Sequence, residues 1–245
     1  MILYEGPSTL DEKPIIAIAT GIGGASSNRK TGDMIQTWIL PADVEPHHAI
    51  KTGQDSSVCG ECMHRPALGG SCYVTVHQAP LAVYRAYHRG AYPALDLDAF
   101  RGRQVRFGAW GDPAAVPVIV WELIANLASG HTGYTHQWRR AEPGLERYCM
   151  ASVDTAAERE QARAMGWRCF RTRLPGEDTL KGEAVCPASE EAGKKLTCSE
   201  CMACGGANGR RGDIAIIAHG STGKVNNYQR ARVNAAGRFE FAATA

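Results

Sequence analysis

Cysteine is the residue that most restricts what this chain can form. The 245 residues include nine cysteines, and all but two of them fall in two segments, residues 59–72 and 186–204. The amino-terminal residues show neither a basic leader nor an apolar stretch of signal-peptide length, which predicts a cytoplasmic protein with reduced thiols. Because closely spaced reduced cysteines bind metal more often than they form disulfides, both segments are predicted to be metal-binding loops.

The later segment contains the stronger metal-binding pattern. Two residues separate Cys198 from Cys201 and Cys201 from Cys204, and Cys186, followed by Pro187, comes shortly before them. These four residues, which we name the late cysteine group, match the ligands of a ferredoxin-type 4Fe-4S cluster, with the Cys-Pro pair before the triplet instead of after it. Zinc is the alternative, because four thiolates also satisfy a tetrahedral ion, although structural zinc sites usually have two separated pairs.

The earlier segment contains Cys59, Cys62 and Cys72, which we name the early cysteine group. No fourth cysteine lies nearby in the sequence. A 4Fe-4S cluster held by three thiolates leaves one iron open to a small molecule, which is how catalytic metal sites differ from closed structural ones. One open and one closed site would make the protein an enzyme. The alternative is a fourth ligand from the protein, with the candidates His64, His77, Cys149 and Cys169.

A single site built from both groups is a further arrangement that the spacing allows. The pairs Cys59/Cys62 and Cys198/Cys201 would then join across the fold and leave the other cysteines of both groups unassigned. The two cysteines outside the groups lie in predicted strands among apolar neighbours. They are therefore expected in the core.

Apolar runs with strand-like and helix-like periods alternate along the chain at about the spacing of βαβ units. The pattern predicts an α/β fold with a parallel sheet or a partial (β/α) barrel that carries the Cys-rich cluster-binding loops. We expect residues 1–212 to form this body and residues 213–245 to add a final strand and a basic C-terminal tail to the same domain. Strands are predicted at 13–19, 103–107, 148–153, 167–174 and 213–218, and helices at 80–89, 116–129 and 155–166.

The ends of strands in such folds are where ligands bind. Gly108, Gly111 and Asp112 follow directly after a predicted strand. The glycines would let a cofactor approach the backbone, and the carboxylate would accept a hydrogen bond from an amine or hydroxyl. The alternative is a tight turn capped by Asp112. His131 and His136 lie around another predicted strand end and are candidates to face the same cleft.

The overall charge is nearly balanced, with 27 basic and 25 acidic residues, so only a local patch could attract a charged partner. A basic face is predicted near the C-terminus, and ordinary solvated surface is the alternative. The most apolar stretch, residues 116–128, contains Glu122 and Asn126, which predicts no contact with a membrane. The basic residues of this region are Arg210, Arg211, Lys224, Arg230, Arg232 and Arg238.

Several short motifs give the chain a resemblance to a known family. In order, KTGDMIQTWILP, the SCY that ends the early cysteine group, RFGAWGDP and GYTH resemble the phage gene-88-like family of uncharacterised cysteine-rich proteins, over residues 28–220. That family is itself similar to partial barrels of the radical-SAM type. The resemblance implies open-site ligands in the early group, an S-adenosylmethionine contact at residues 108–112 and an auxiliary cluster in the late group. The Cys-x2-Cys-x9-Cys spacing differs from the usual Cys-x3-Cys-x2-Cys.

The sequence thus predicts a cytoplasmic iron–sulfur protein, in a host cytoplasm if the chain is phage-encoded. It would hold one or two 4Fe-4S clusters and act as a radical-SAM-like or redox enzyme on a nucleotide or nucleic acid, with an electron donor as partner. The alternative is a zinc-stabilised nucleic-acid-binding or assembly protein without catalysis. A non-catalytic protein with two closed clusters is a third possibility.

Overall fold

The computed structural model describes residues 1–24, 28, 30–207 and 211–242, with side chains described as far as residue 234. The strands are β1 (Ile2–Pro7), β2 (Pro14–Thr20), β3 (Ile35–Pro41), β4 (Gln104–Trp110), β5 (Gly130–Thr135), β6 (Met150–Val153), β7 (Cys169–Arg173), β8 (Glu183–Val185) and β9 (Asp213–Ile217). The α-helices are α1 (Pro46–Thr52), α2 (Ser56–Cys59), α3 (Ala79–His88), α4 (Val118–Leu127), α5 (Ala156–Ala164), α6 (Cys198–Cys201) and α7 (Thr222–Ala242).

The described strands form one sheet in the order β1-β2-β3-β4-β5-β6-β7-β9-β8. The first three strands are antiparallel neighbours, and every later pairing, from β3–β4 to β8–β9, is parallel. The sheet does not close, because β1 and β8 each pair on one side only. The predicted α/β class with a mostly parallel sheet is therefore confirmed, and the barrel is an open one.

The predicted strands form where apolar side chains can be buried on both faces of the sheet. In β2, residues 15–19 are all at most 1% exposed, as expected for a strand covered on both sides. Helix α3 ends close to the predicted position, with Gly90 at φ +69° directly after its C-cap residue. Thr155 caps α5 as predicted, because its hydroxyl accepts a hydrogen bond from the amide of Glu158 at 3.1 Å.

Strands β1 and β8 and helix α7 are elements that the sequence pattern did not predict. The segment expected to be a basic tail contains α7, and this helix packs onto the body through Tyr228, which is 1% exposed. The hydroxyl of Tyr228 lies 2.8 Å from the carboxylate of Asp154 and 2.7 Å from the carbonyl of Thr172. Residues 213–242 therefore belong to the body that the earlier residues form.

The main core lies between the sheet and its helices, and a smaller cluster surrounds part of the late cysteine group. Cys149 and Cys169 are fully buried in the main core, as expected from their apolar neighbours. Cys186 and Cys204 belong to the smaller cluster, with Met150 packed beside them. In the part of the chain that the structure describes, no helix has both the length and the apolar character needed to cross a membrane.

Candidate metal centres

One face of the sheet borders a cavity of about 1060 Å³. Strands β2 to β7 and β9 all contribute to its wall, which is possible only if the sheet curves around it as a partial barrel does. Cysteines of both groups border the same cavity. The strand residues on the wall include Thr20, Gln36, Trp38, Arg106, Trp110, Tyr134, Ser152, Phe170, Thr172 and Ile216, and the cysteines are Cys59, Cys62, Cys72, Cys186 and Cys198.

The early cysteine group lies at the carboxyl ends of the parallel strands. Cys59 is the last residue of α2, and its carbonyl accepts a hydrogen bond from the amide of Gln137, just after β5, at 3.0 Å. The preceding carbonyl, that of Val58, accepts from the backbone N–H of Asp112, just after β4, at 2.6 Å. Two neighbouring strand ends therefore hold the start of this loop.

A buried ion pair fixes the rest of the early loop. Arg65 donates to both carboxylate oxygens of Asp55, from Nε at 2.9 Å and from Nη2 at 2.6 Å. The same guanidinium donates to the carbonyls of Gly60 at 2.7 Å and Gly53 at 2.9 Å. Gly60 has φ +54°, and a Cβ there would lie 2.4 Å from the Gln137 amide, so only glycine fits. The sequence motifs gave no sign of this ion pair.

The three cysteines of the early group are half-buried, and partial desolvation raises the pKa of each thiol. At Cys59 the neighbouring thiols Cys62 and Cys72 raise the pKa further. Thiols with raised pKa values become thiolates when a metal binds, and metal binding then releases protons. Three thiols of this kind are the residue types that a thiolate-bound metal would require.

The candidates for a fourth ligand lie elsewhere or are already engaged. His64 has partners for both ring nitrogens, Ser71 at 2.6 Å and Asp154 at 3.4 Å. His77 is exposed and is not on the cavity wall. The other two candidates are the core cysteines. None of these four candidates, all of which are described residues, is free to act as a fourth ligand. The cysteines of the early group border the cavity.

His136 is on the cavity wall, as one of the two sequence alternatives predicted for it. Its Nε2 is buried without a hydrogen-bond partner among the described residues, and its ring centroid lies 5.2 Å from that of His64. Burial lowers the pKa of His136 to about 4, so the ring is neutral at pH 7. A neutral imidazole without a partner can donate to, or accept from, a molecule in the cavity. His131 lies near the other end of the strand, and its ring stacks on Phe107.

The predicted cofactor contact, Gly108, Gly111 and Asp112, also lines the cavity. Its local geometry is that of the capped turn that was the alternative. Gly111 has φ +83°, and a Cβ there would lie 2.5 Å from the carbonyl oxygen of Ile39. The Asp112 carboxylate accepts from the backbone N–H groups of Ala114 at 3.0 Å and His136 at 2.8 Å. The turn therefore needs these residues for its own structure, whether or not a cofactor binds.

Asp112 is the carboxylate of this turn, and burial raises its pKa to about 6. Hydrogen bonds from Thr135 and from the backbone of residues 114, 136 and 137 act in the opposite direction. The side chain is therefore ionised at pH 7, with its oxygens occupied by donors of the protein. A cofactor at this strand end would contact mainly the backbone of residues 108–112.

The 198–204 loop of the late group lies beside β5 and the start of β4, whereas Cys186 directly follows the carboxyl end of β8. The amide of Gly133 donates to the carbonyl of Cys204 at 3.0 Å, and Gln104, at the start of β4, donates to the carbonyl of Ser199 at 2.9 Å. Arg168, just before β7, donates to the carbonyls of residues 203, 206 and 212. The early loop is thus held at the carboxyl ends of β4 and β5, and the 198–204 loop is held nearer to their amino-terminal ends.

All four late cysteines border a second cavity of about 20 Å³, together with Thr132 and Tyr134. Burial raises the pKa of Cys186 and Cys198, and it raises that of Cys204 to about 12. The hydroxyl of Thr132 is buried without a hydrogen-bond partner in the described residues. A bound sulfide or thiolate would supply the acceptor that this hydroxyl needs, so the donor set and its surroundings fit a thiolate-bound group.

The size of this second cavity limits how such a group can bind. A volume of about 20 Å³ has room for one water-sized atom. A cubane cluster therefore requires the four side chains to turn outward, whereas a single ion requires smaller movements. In the described residues, no group of three or more His, Cys, Asp or Glu side chains is arranged to hold a metal ion.

Several of the described basic residues near the C-terminus have partners within the protein. Arg232 pairs with the carboxylate of Glu177 at 2.7 and 2.8 Å, and Arg211 donates to the carbonyl of Cys201 at 3.0 Å. Lys224 donates to the carbonyl of Cys72. Three described members of the predicted face therefore have partners within the protein. Arg230 donates to Asn227, whereas Arg210 and the side chain of Arg238 lie outside the described residues.

The fold and the site define a class of protein, an open α/β barrel whose interior is bordered by cysteines of both groups. Comparison of the chain with protein-family models, with curated proteins and with solved structures finds no match in any of the three. The function is therefore argued from the residues of the site.

Proposed function

We propose that the protein is an iron–sulfur enzyme with two 4Fe-4S clusters. The early cysteine group holds a cluster with one open iron that faces the cavity, and the late group holds a closed auxiliary cluster. The observation that supports this proposal is that cysteines of both groups border one cavity. A purely structural metal has no need of a substrate-sized cavity beside it.

A cluster with an open iron supplies one-electron chemistry to a molecule that binds it, and an electron-donor protein would have to reduce it. Residues of the protein hold the early loop in position and shield the proposed open iron from water. Arg65 and Asp55 keep the early loop in one conformation, and Gln137 ties that loop to β5. Trp38, Trp110 and Phe170 on the cavity wall keep water away from the open side.

We propose a small, nucleotide-sized substrate. The cavity of about 1060 Å³ is at the upper end of the range for small-molecule sites, about 300–1,000 Å³. A nucleic acid would have to present a single nucleotide to it. S-adenosylmethionine is the proposed cofactor because of the resemblance to radical-SAM-type barrels, and residues 108–112 line the cavity where its methionine part would bind.

The proposal includes a reducing compartment. All nine cysteines are free thiols in the structure, and 4Fe-4S clusters of this kind survive where thiols stay reduced. The cytoplasm fits this requirement, and the resemblance to the phage gene-88-like family makes it a host cytoplasm. Fractionation of expressing cells, with the cluster content measured in each fraction, checks the location.

Iron and sulfide analysis tests the proposal. Protein purified without oxygen should be brown and contain about eight iron and eight sulfide per chain, the content of two 4Fe-4S clusters. Cys59→Ala and Cys201→Ala should each lose about half, because the two groups are separate. The control is Cys169→Ala, which removes a core thiol and should keep the full content.

Binding of S-adenosylmethionine is a separate prediction. Adding it to the reduced protein should change the electron paramagnetic resonance spectrum, because it would bind the open iron. Cys201→Ala should keep this change and Cys62→Ala should abolish it. An unchanged spectrum in the wild-type protein, without cleavage of the cofactor, would contradict an open iron and favour two closed clusters.

Zinc in the late group is the second candidate, favoured by the small volume that its four thiols surround. In that case the protein is a zinc-stabilised binding or assembly protein. Colourless protein with zinc, and without iron or sulfide after anoxic purification, would support this candidate and exclude the first. Arg232 and Lys224, which have partners within the protein, would contribute little to phosphate binding.

A further inference from the structure

Arg106 is a cation in the cavity that the cluster proposal does not explain. It lies in the middle of β4, and its side chain is on the cavity wall. Its guanidinium carbon lies 5.5 Å from the ring centroid of Tyr134, and in the described residues it makes no hydrogen bond or ion pair. Buried arginines of the protein have carboxylate partners, as Arg65 has Asp55 and Arg171 has Glu183. A half-buried guanidinium on a cavity wall, without an acceptor of its own, can bind an anion.

The charges on the cavity wall also favour an anion. The acidic residues on the described part of this wall are Asp55 and Asp112, and both oxygens of each already accept hydrogen bonds from the protein. Arg65 is neutralised by Asp55. Lys30, whose Nζ lies 3.4 Å from His219 Nε2, forms no salt bridge in the described residues. The wall therefore has an excess of positive charge around Arg106 and Lys30.

The position of Arg106 would orient a bound molecule. Arg106 is two residues after Gln104, whose side chain donates to the carbonyl of Ser199 at 2.9 Å, so Arg106 lies toward the 198–204 loop of the late group. The early loop is held at the carboxyl ends of β4 and β5. A molecule whose anion binds Arg106 would therefore extend its other end toward the early group.

We propose that Arg106, assisted by Lys30, binds an oxyanion of the substrate, and that this oxyanion is a phosphate. The planar guanidinium donates two parallel hydrogen bonds to a phosphate or a carboxylate, and a nucleotide-sized cavity favours the phosphate. The assignment of the anion to a substrate depends on the proposed function, but the anion site itself does not.

Calorimetry on the full-length protein, purified without oxygen, tests the site. Inorganic phosphate, pyrophosphate and succinate are titrated separately, so that the phosphate and carboxylate arms are distinguished. Pyrophosphate should bind, and Arg106→Gln should weaken its binding by at least about tenfold. Arg106→Lys keeps the charge without the planar fork and should weaken binding less. Arg101→Gln removes an exposed arginine that is not on the cavity wall, and it should bind as the wild type does.

Iron and sulfide are measured on the same samples, so the failures can be told apart. Wild-type protein that binds none of the anions, or an Arg106→Gln protein that binds pyrophosphate normally, overturns the anion site. Binding of succinate in preference to pyrophosphate overturns the phosphate assignment. An Arg106→Gln protein that loses both its iron–sulfur content and its pyrophosphate binding also overturns the proposal. The role of Arg106 would then be to balance the negative charge of the late cysteine group and not to bind a substrate anion. Absence of iron in the wild type overturns the proposed function only.

Discussion

Replacing Arg65 by alanine is expected to lower the free energy of unfolding by about 3–5 kcal/mol, the usual cost of breaking a buried ion pair. Arg65 and Asp55 have side-chain exposures of 10% and 2%, so the substitution leaves a carboxylate buried without its partner. It also frees the carbonyls of Gly60 and Gly53. Urea denaturation monitored by circular dichroism measures the change.

The same variant should lose the metal of the early cysteine group and keep that of the late group. The reason is that Arg65 holds the loop on which Cys62 and Cys72 lie, whereas the 198–204 loop of the late group is fastened by Arg168. Iron analysis would show about half of the wild-type content. Loss of all iron, or a stability change below about 1 kcal/mol, would contradict this role.

Arg101→Ala is the matched control for Arg65→Ala. Arg101 also pairs with an aspartate, Asp98, but the two side chains are 66% and 78% exposed. An ion pair in water contributes less than about 1 kcal/mol, because solvent screens it. The control should therefore unfold at nearly the wild-type urea concentration and keep its metal.

The second large effect is expected at Glu183 in β8. Its side chain is fully buried and accepts from Nε and Nη2 of Arg171, at 2.7 and 2.8 Å, with Arg159 at 3.4 Å. Glu183→Gln keeps the shape and removes the charge, which leaves two buried guanidinium groups with less compensation. We expect a loss of about 3–5 kcal/mol in the free energy of unfolding.

The acid dependence of stability should change in the same variant. Burial alone would raise the pKa of Glu183, but the hydrogen bonds from Arg171 and the Leu180 amide, together with the charges of Arg171 and Arg159, outweigh it and hold the pKa below the ordinary value. An acid with a lowered pKa in the folded state stabilises the protein above its unfolded pKa, and this contribution is lost as the pH falls through the folded pKa. Unfolding measured from pH 7 downward should show a shallower loss in Glu183→Gln than in the wild type.

Cys186 links this prediction to the late cysteine group. It follows β8 directly, so a loosened β8 should release one of the four thiols and lower the metal content of that group. The control is Glu190→Gln, which removes an exposed partner of Lys194 and should change neither stability nor metal. A Glu183→Gln protein as stable as the wild type at pH 7 would show that Asp213 and Glu177 suffice for the two arginines.

Local sequence patterns predicted much of the sheet and failed where an element has no local signal. β2, β4, β6, β7 and β9 are apolar or alternating runs with turns around them, and all were predicted. β8 has three residues, and its burial comes from the strand beside it. Helix α7 has no strong apolar face, so it was interpreted as a tail, although Tyr228, Lys224 and Arg232 each contact the body.

Some features of the candidate site could also be predicted from local sequence, and others could not. The spacing of the cysteines is local, and it was sufficient to define both groups before any fold was known. The role of Gly111 was open, because the carbonyl of Ile39 that excludes a side chain there comes from another strand. Asp55 and Arg65 are close in sequence, yet nothing in that spacing indicated that they pair.

By itself, the sequence determined the α/β class, the two cysteine groups and the burial of Cys149 and Cys169, since each depends on neighbours along the chain. The tertiary structure alone decided that cysteines of both groups border one cavity. It also decided which charges find partners: Arg159 meets Asp213, 54 residues away, while Arg106 meets no carboxylate in the described residues. The physical reason is that the alternation of residues along a strand determines on which face of the sheet each side chain lies. The residues that it contacts on that face are determined by long-range packing.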